Sequence, residues 1–173
     1  MESIEVLEEG KLLSFRFDEM LNYHGPGFPG GVAHGFKVMQ RAFPLLDDGN
    51  LLERREISFV TAFPGPGARD AFELVTRCLT DGRYVVDKEL PEAANELESP
   101  GGRYYFRLSY RGRSVAVTLR PGYVREEFIQ LARKKGRTEA EERVLAGMKR
   151  DMAARLMAAK AEDIYRCLLY TSD

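Results

Sequence analysis

Cysteine is scarce in this chain, with Cys78 and Cys167 the two among 173 residues. No Cys-x-x-Cys pair exists, which excludes a zinc knuckle or a thioredoxin motif within the chain. Two cysteines cannot build a disulfide framework, so a reducing, cytoplasmic setting is expected. An excess of one charge is missing too. Lysine plus arginine number 26 and aspartate plus glutamate 27, for a net charge of -1. That balance gives no electrostatic reason to expect nucleic acid or an anionic membrane as partner. No segment approaches the ~20 apolar residues of a membrane span. The opening residues carry acids where a secretory signal has a basic start and an apolar run. What is present is an ordinary globular balance, 44% hydrophobic and 31% charged, sufficient for a core.

Apolar spacing predicts the elements. Leu13, Phe17, Met20, Leu21 and His24 fall on one face of a helix from about 11 to 24, which Gly25 can end. A second helix, about 30 to 43, carries Val32, Phe36, Met39 and Phe43 inward, places His34 on the surface and stops at Pro44. A strand at about 53 to 62, a helix at 68 to 80 and a strand at 83 to 90 follow. Residues 103 to 119 read as a hairpin about the two-residue turn Arg111-Gly112. That turn pairs Leu108 with Val115, Phe106 with Val117 and Tyr104 with Leu119, all on one face. The outer Arg103, Arg107 and Arg111 read as a solvated strand face. A helix at 123 to 135 and a long one at 138 to 168 complete the pattern, the latter with Val144, Met148, Met152, Leu156 and Ile164 as its apolar stripe. The expected fold is α+β, a small mixed or antiparallel sheet with a C-terminal-side hairpin, packed by helices and followed by a long C-terminal helix. The expected division is a domain at 1–135 and a helical extension at 136–173.

Two Gly/Pro loops stand out, His24-Gly25-Pro26-Gly27-Phe28-Pro29-Gly30-Gly31 and Pro64-Gly65-Pro66-Gly67. Each leads into a helix start, where unpaired N–H groups and the helix dipole suit an anion or a polar ligand. Gly25, Gly27, Gly30 and Gly67 let a ligand approach the backbone; the plainer reading is a pair of tight connections. Neither loop is a P-loop or a dinucleotide fingerprint. His24 fits a metal ligand, a proton carrier or a helix-capping histidine. Cys78 lies on a buried stripe, where free cysteine commonly serves as a small hydrophobe. Asp70 occupies a first helical turn, which favours an acid on structural grounds alone.

Together these residues resemble a known family. The loop from Tyr23 to Gly30 resembles the His-Gly-His-x-Cys-Pro-Gly signature of formylmethanofuran dehydrogenase E-subunit-like proteins. Gly35, Asp70-Ala71-Phe72-Glu73 and Cys78-Leu79-Thr80-Asp81-Gly82-Arg83 resemble its later motifs, over roughly residues 12 to 130. The resemblance implies a dimeric α+β protein linked to one-carbon metabolism. It also implies a divalent metal such as zinc, held by His24 and Cys78 with Asp70 nearby. Pro26 and Phe28 stand where that signature has its second histidine and its cysteine, so Phe28 brings an aromatic ring suited to an apolar ligand. Residues 167–172 are similar to a string that recurs at the ends of translated environmental fragments. They are therefore expected to be foreign, and Cys167 carries no functional weight.

Three expectations compete. The first is a metal- or small-ligand-binding protein with its site at the His24 loop, His24 and Cys78 facing one cleft. The second is a metal-free module that holds a small organic anion at Phe28 and the helix starts. The third is a non-catalytic partner subunit, a homodimer or other assembly formed through the long C-terminal helix.

Overall fold

Glu9 and Gly10 both take positive φ, 51° and 77°, and make the two-residue turn of a hairpin. In this computed structural model, which describes residues 2–172 with no side-chain account beyond Leu168, that hairpin is formed by β1 (Ser3–Glu8) and β2 (Lys11–Arg16). It pairs Val6 with Leu13 and Ile4 with Phe15. The expected helix from residue 11 is therefore corrected. Residues 11–16 are a strand, and the helix α1 is confined to Phe17–His24. Ile4 and Val6 are buried, and the pairing they anchor overrides the helical spacing of Leu13 and Phe17.

The main sheet has the order β4-β3-β5-β6-β7. Its strands are β3 (Ser58–Thr61), β4 (Tyr84–Val86), β5 (Tyr105–Tyr110), β6 (Arg113–Leu119) and β7 (Tyr165–Ser172). β3 and β4 run parallel, joined through helix α3 (Pro66–Thr76), and the other pairs are antiparallel. The β5–β6 hairpin has the expected register, Leu108 to Val115 and Phe106 to Val117, about Arg111 and Gly112 with φ 46° and 79°. The third expected pair lies just beyond β5, where the Leu119 N–H donates to the Tyr104 carbonyl at 3.3 Å.

Helix α2 (Pro29–Leu46) lies on this sheet and is buried along nearly its whole length. It passes through Pro44, where a stop was expected, and ends two residues later. Proline leaves one backbone bond unmade there without breaking the last turn. α3 packs beside α2, and Phe72 of α3 stacks on Phe59 at 4.5 Å between ring centroids.

Two shorter helical segments and one long one follow the hairpin. They are α4 (Glu126–Arg133), α5 (Glu139–Ala158) and the single turn α6 (Ala161–Ile164). Thr138 caps α5: its hydroxyl accepts from the Glu141 N–H at 3.1 Å, and the Glu141 carboxylate accepts from the Thr138 N–H at 3.0 Å. The helix ends ten residues before the expected 168. The buried Lys37 ammonium donates to the Ala159 carbonyl at 2.8 Å and fixes that end. β7 then pairs with β6, Tyr165 facing Leu119 in register. The buried stripe of α5 is Leu145, Met152, Ala153 and Leu156, and it packs on α2. Val144, expected inside, is 54% exposed, one position out of phase with Leu145. The fold class is thus α+β, a small mixed sheet with helices packed around it and a long helix in the C-terminal region. Among the described residues no helix is long and apolar enough to cross a membrane.

Candidate functional site: a cavity between the two Gly/Pro loops

The two Gly/Pro loops meet in space because α2 and α3 cross at glycines. A Cβ built on Gly67 would lie 2.6 Å from the Phe28 carbonyl oxygen and 2.7 Å from the Val32 nitrogen. Those are backbone atoms with no flexible end to give way, so only glycine fits. Gly31 and Gly35 make similar approaches to Gly67 and to Ala68 and Ala71. The glycines therefore have a packing role of their own: they bring two helix starts together. Neither start has a side-chain cap, and neither helix has an acid in its first turn: α3 begins at Pro66, two residues before the expected 68, which puts Asp70 past that turn. Their first N–H groups have no intrahelical partner.

Against this junction lies a cavity of about 350 Å³. It is at the small end of the range that ligand pockets occupy. Phe28, Gly30 and Gly31 contribute from the first loop, and Pro64 to Gly67 from the second. Ser99, Pro100 and Gly101 form another side, while Phe128, Arg137 and Lys149 come from the α4–α5 region. Of the residues expected at a ligand site, Phe28, Gly30 and Gly67 line this cavity, whereas Gly25, Gly27 and Asp70 do not.

The cavity's cations are held differently. Arg137 is structurally committed: its guanidinium donates to the Ala132 and Lys134 carbonyls at 2.9 and 3.0 Å and to Glu142 at 2.8 Å. Lys149 has a looser hold. Its ammonium lies 4.1 Å from the centre of the Phe28 ring and 3.3 Å from the Gly27 carbonyl. No carboxylate among the described residues lies within ion-pair distance of it. Burial, helped by the charge of Arg137, lowers its pKa against the opposing pull of Glu142.

The expected metal site is overturned. Among the described residues no group of three His, Cys, Asp or Glu side chains could hold a metal ion. His24 and Asp70 do come together, with Nδ1 and Oδ2 2.7 Å apart, and Arg69 holds the other carboxylate oxygen at 3.0 Å. The His24 ring takes one carboxylate oxygen and Arg69 the other, while the His24 Nε2 is buried without a hydrogen-bond partner. Cys78 completes no set. It is fully buried among core side chains, and burial pushes its thiol up to about 11, so it stays protonated at neutral pH. The zinc-binding reading, with His24 and Cys78 as ligands, is withdrawn, and with it the metal-centred function. Pro26 and Phe28 supply no ligand atoms in place of those missing.

By sequence the chain matches no protein-family model and no curated protein.

His34 is also placed differently from the sequence expectation. It is 1% exposed, not on the surface, and it lines the cavity. Its Nδ1 lies 2.7 Å from the Tyr165 hydroxyl, and its Nε2 is buried without a hydrogen-bond partner. Its ring lies 4.8 Å from Tyr104, which in turn stacks on Phe63 at 5.0 Å. Burial, with the charge of Arg155 adding to it, lowers the imidazole pKa to about 3, so the ring is neutral at physiological pH. The signal for His34 was faint, because on a helix buried all round a polar residue two places from Val32 still faces protein.

Proposed function

We propose that this protein is a metal-free module that binds a small organic anion in the cavity between its two Gly/Pro loops. One observation carries the reading: Lys149, a partly buried ammonium on the cavity wall without a carboxylate partner among the described residues. A partly desolvated cation with no ion pair gains from a bound anion. The uncapped starts of α2 and α3 add partial positive charge on the same side. The aromatic rings of Phe28, Phe63 and Tyr104 favour a ligand with an apolar, flat body. The loop's likeness to the signature of formylmethanofuran dehydrogenase E-subunit-like proteins enters this reading as ancestry. The family's loop frame is kept, and Phe28 serves the apolar part of a ligand.

Calorimetric titration with benzoate, at low salt and neutral pH, tests the reading. Lys149→Met is expected to weaken binding about ten-fold, the loss of one partly screened charge contact worth ~1.4 kcal/mol. Equal binding by the wild type and this variant would overturn the proposal.

A further inference from the structure

The inner wall of the cavity is chemically unlike its cationic side. Resting on the anion-binding reading, we propose that His34 Nε2 is a neutral N–H donor, fixed in that tautomer by Tyr165. The ligand it takes is a planar ring acid with a carbonyl oxygen at the end remote from its charge.

The tautomer follows from counting protons. Tyr165 is fully buried, and its hydroxyl meets His34 Nδ1 at 2.7 Å. If the hydroxyl donates, Nδ1 is the bare acceptor and the ring proton sits on Nε2. One group, the Nε2–H, is then left without a partner. If Nδ1–H donates instead, the Tyr165 O–H has no acceptor among the described residues and the Nε2 lone pair is also unmet. Two buried polar groups are then unsatisfied, and each is costly. The first arrangement wins.

An unpartnered, buried N–H on a cavity wall selects an acceptor. Tyr104 offers a second donor: the residue lines the cavity, is 1% exposed, and its side chain makes no hydrogen bond among the described residues. Neutral donors between aromatic rings suit a carbonyl oxygen. A second carboxylate would have to be desolvated there. The stacked Phe63 and Tyr104 rings form one flat aromatic wall beside His34. Charge at Lys149, a ring against that aromatic wall and an acceptor at His34 together define the ligand class.

Three probes separate this inference from the reading beneath it: 4-acetylbenzoate, its carbonyl-free analogue 4-isopropylbenzoate, and neutral acetophenone. Binding is followed by calorimetry and by the imidazole 15N–1H resonances, assigned with His24→Gln. The expected results are an Nε2–H tautomer for His34 in the free protein and about ten-fold tighter binding of 4-acetylbenzoate than of 4-isopropylbenzoate. Tyr165→Phe is expected to abolish that preference, and Tyr104→Phe, which leaves the His34 pair intact, to reduce it part-way. An Nδ1–H tautomer overturns the inference whatever the state of the variants. So does equal affinity for the two carboxylates; if Lys149→Met still weakens both, the anion reading survives alone. Acetophenone binding as tightly as 4-acetylbenzoate, with a shifted His34 resonance and no effect of Lys149→Met, sinks the anion reading and spares the donor. Failure of every probe at millimolar concentration overturns both.

Discussion

The chain has two histidines, and their surroundings differ in kind. His24, at the end of α1, meets a carboxylate: Asp70 lies 2.7 Å from its Nδ1, and Arg69 braces that carboxylate. His34, inside α2, meets a phenol, also at 2.7 Å, and no acid. The two bonds have the same length and opposite chemistry. Burial with only a hydroxyl for a partner keeps the His34 ring neutral. The His24 pair joins α1 to α3 behind the first loop, whereas the His34 pair joins α2 to β7 at the cavity wall. Length alone therefore says little about what a histidine does; the charge and burial of its partner decide.

The largest expected effect that would sharpen this contrast is a pH dependence. The folded-state pKa of His34 is lowered to about 3, mainly by burial. A base lowered in this way binds fewer protons folded than unfolded, so its contribution is whole above about pH 6.5 and drains away as pH falls. Between pH 7 and pH 4 the loss is ~3 kcal/mol. Urea unfolding across that range should show a steeper decline for the wild type than for His34→Phe; parallel curves would break the distinction between the histidines. Next in size, Gly67→Ala is expected to cost ~3 kcal/mol, since its methyl meets backbone atoms of the first loop. A variant as stable as the wild type would mean that the two loops are not locked together. His24→Gln should cost less, ~1 to 2 kcal/mol, by removing one partly buried bond to Asp70. A thermal melt showing a larger loss than Gly67→Ala would reverse that ranking. The smallest effect is expected at Val144, which is 54% exposed on α5. Val144→Lys should change stability by no more than ~0.5 kcal/mol, and a larger destabilisation would indicate that this face is covered.

Much of the fold could be read from local pattern. The β5–β6 hairpin was legible because turn length and apolar alternation agreed on one register. The β1–β2 hairpin was not, because Leu13, Phe17, Met20 and Leu21 also fit a helical stripe, and only pairing with Ile4 and Val6 decides the matter. β7 was hidden in a charged helical pattern for a similar reason: Tyr165 belongs to the sheet through its partner Leu119, far away in sequence. The two Gly/Pro loops were visible as a candidate site, and the cavity does lie between them. The groups we propose to face a ligand were not visible. Lys149 is one charge among many on a long helix, and His34 sits at a position whose burial depends on β7 and α5 together. Cys78 was read two ways: helical spacing placed it on a buried stripe, where the structure has it, while the resemblance of its segment to a family motif suggested a ligand.

The His34–Tyr165 contact spans 131 residues of chain. Bonds between such distant positions form after a large loop has closed, and loop closure is what slows folding of non-local topologies. The cavity therefore matures late. Both hairpins and the α2–α3 crossing can form while the imidazole of His34 still exchanges its proton between nitrogens. Only the docking of β7 selects one. In a refolding experiment, competence for ligand is expected to trail secondary structure, and its arrival marks the moment the sheet gains its outer strand.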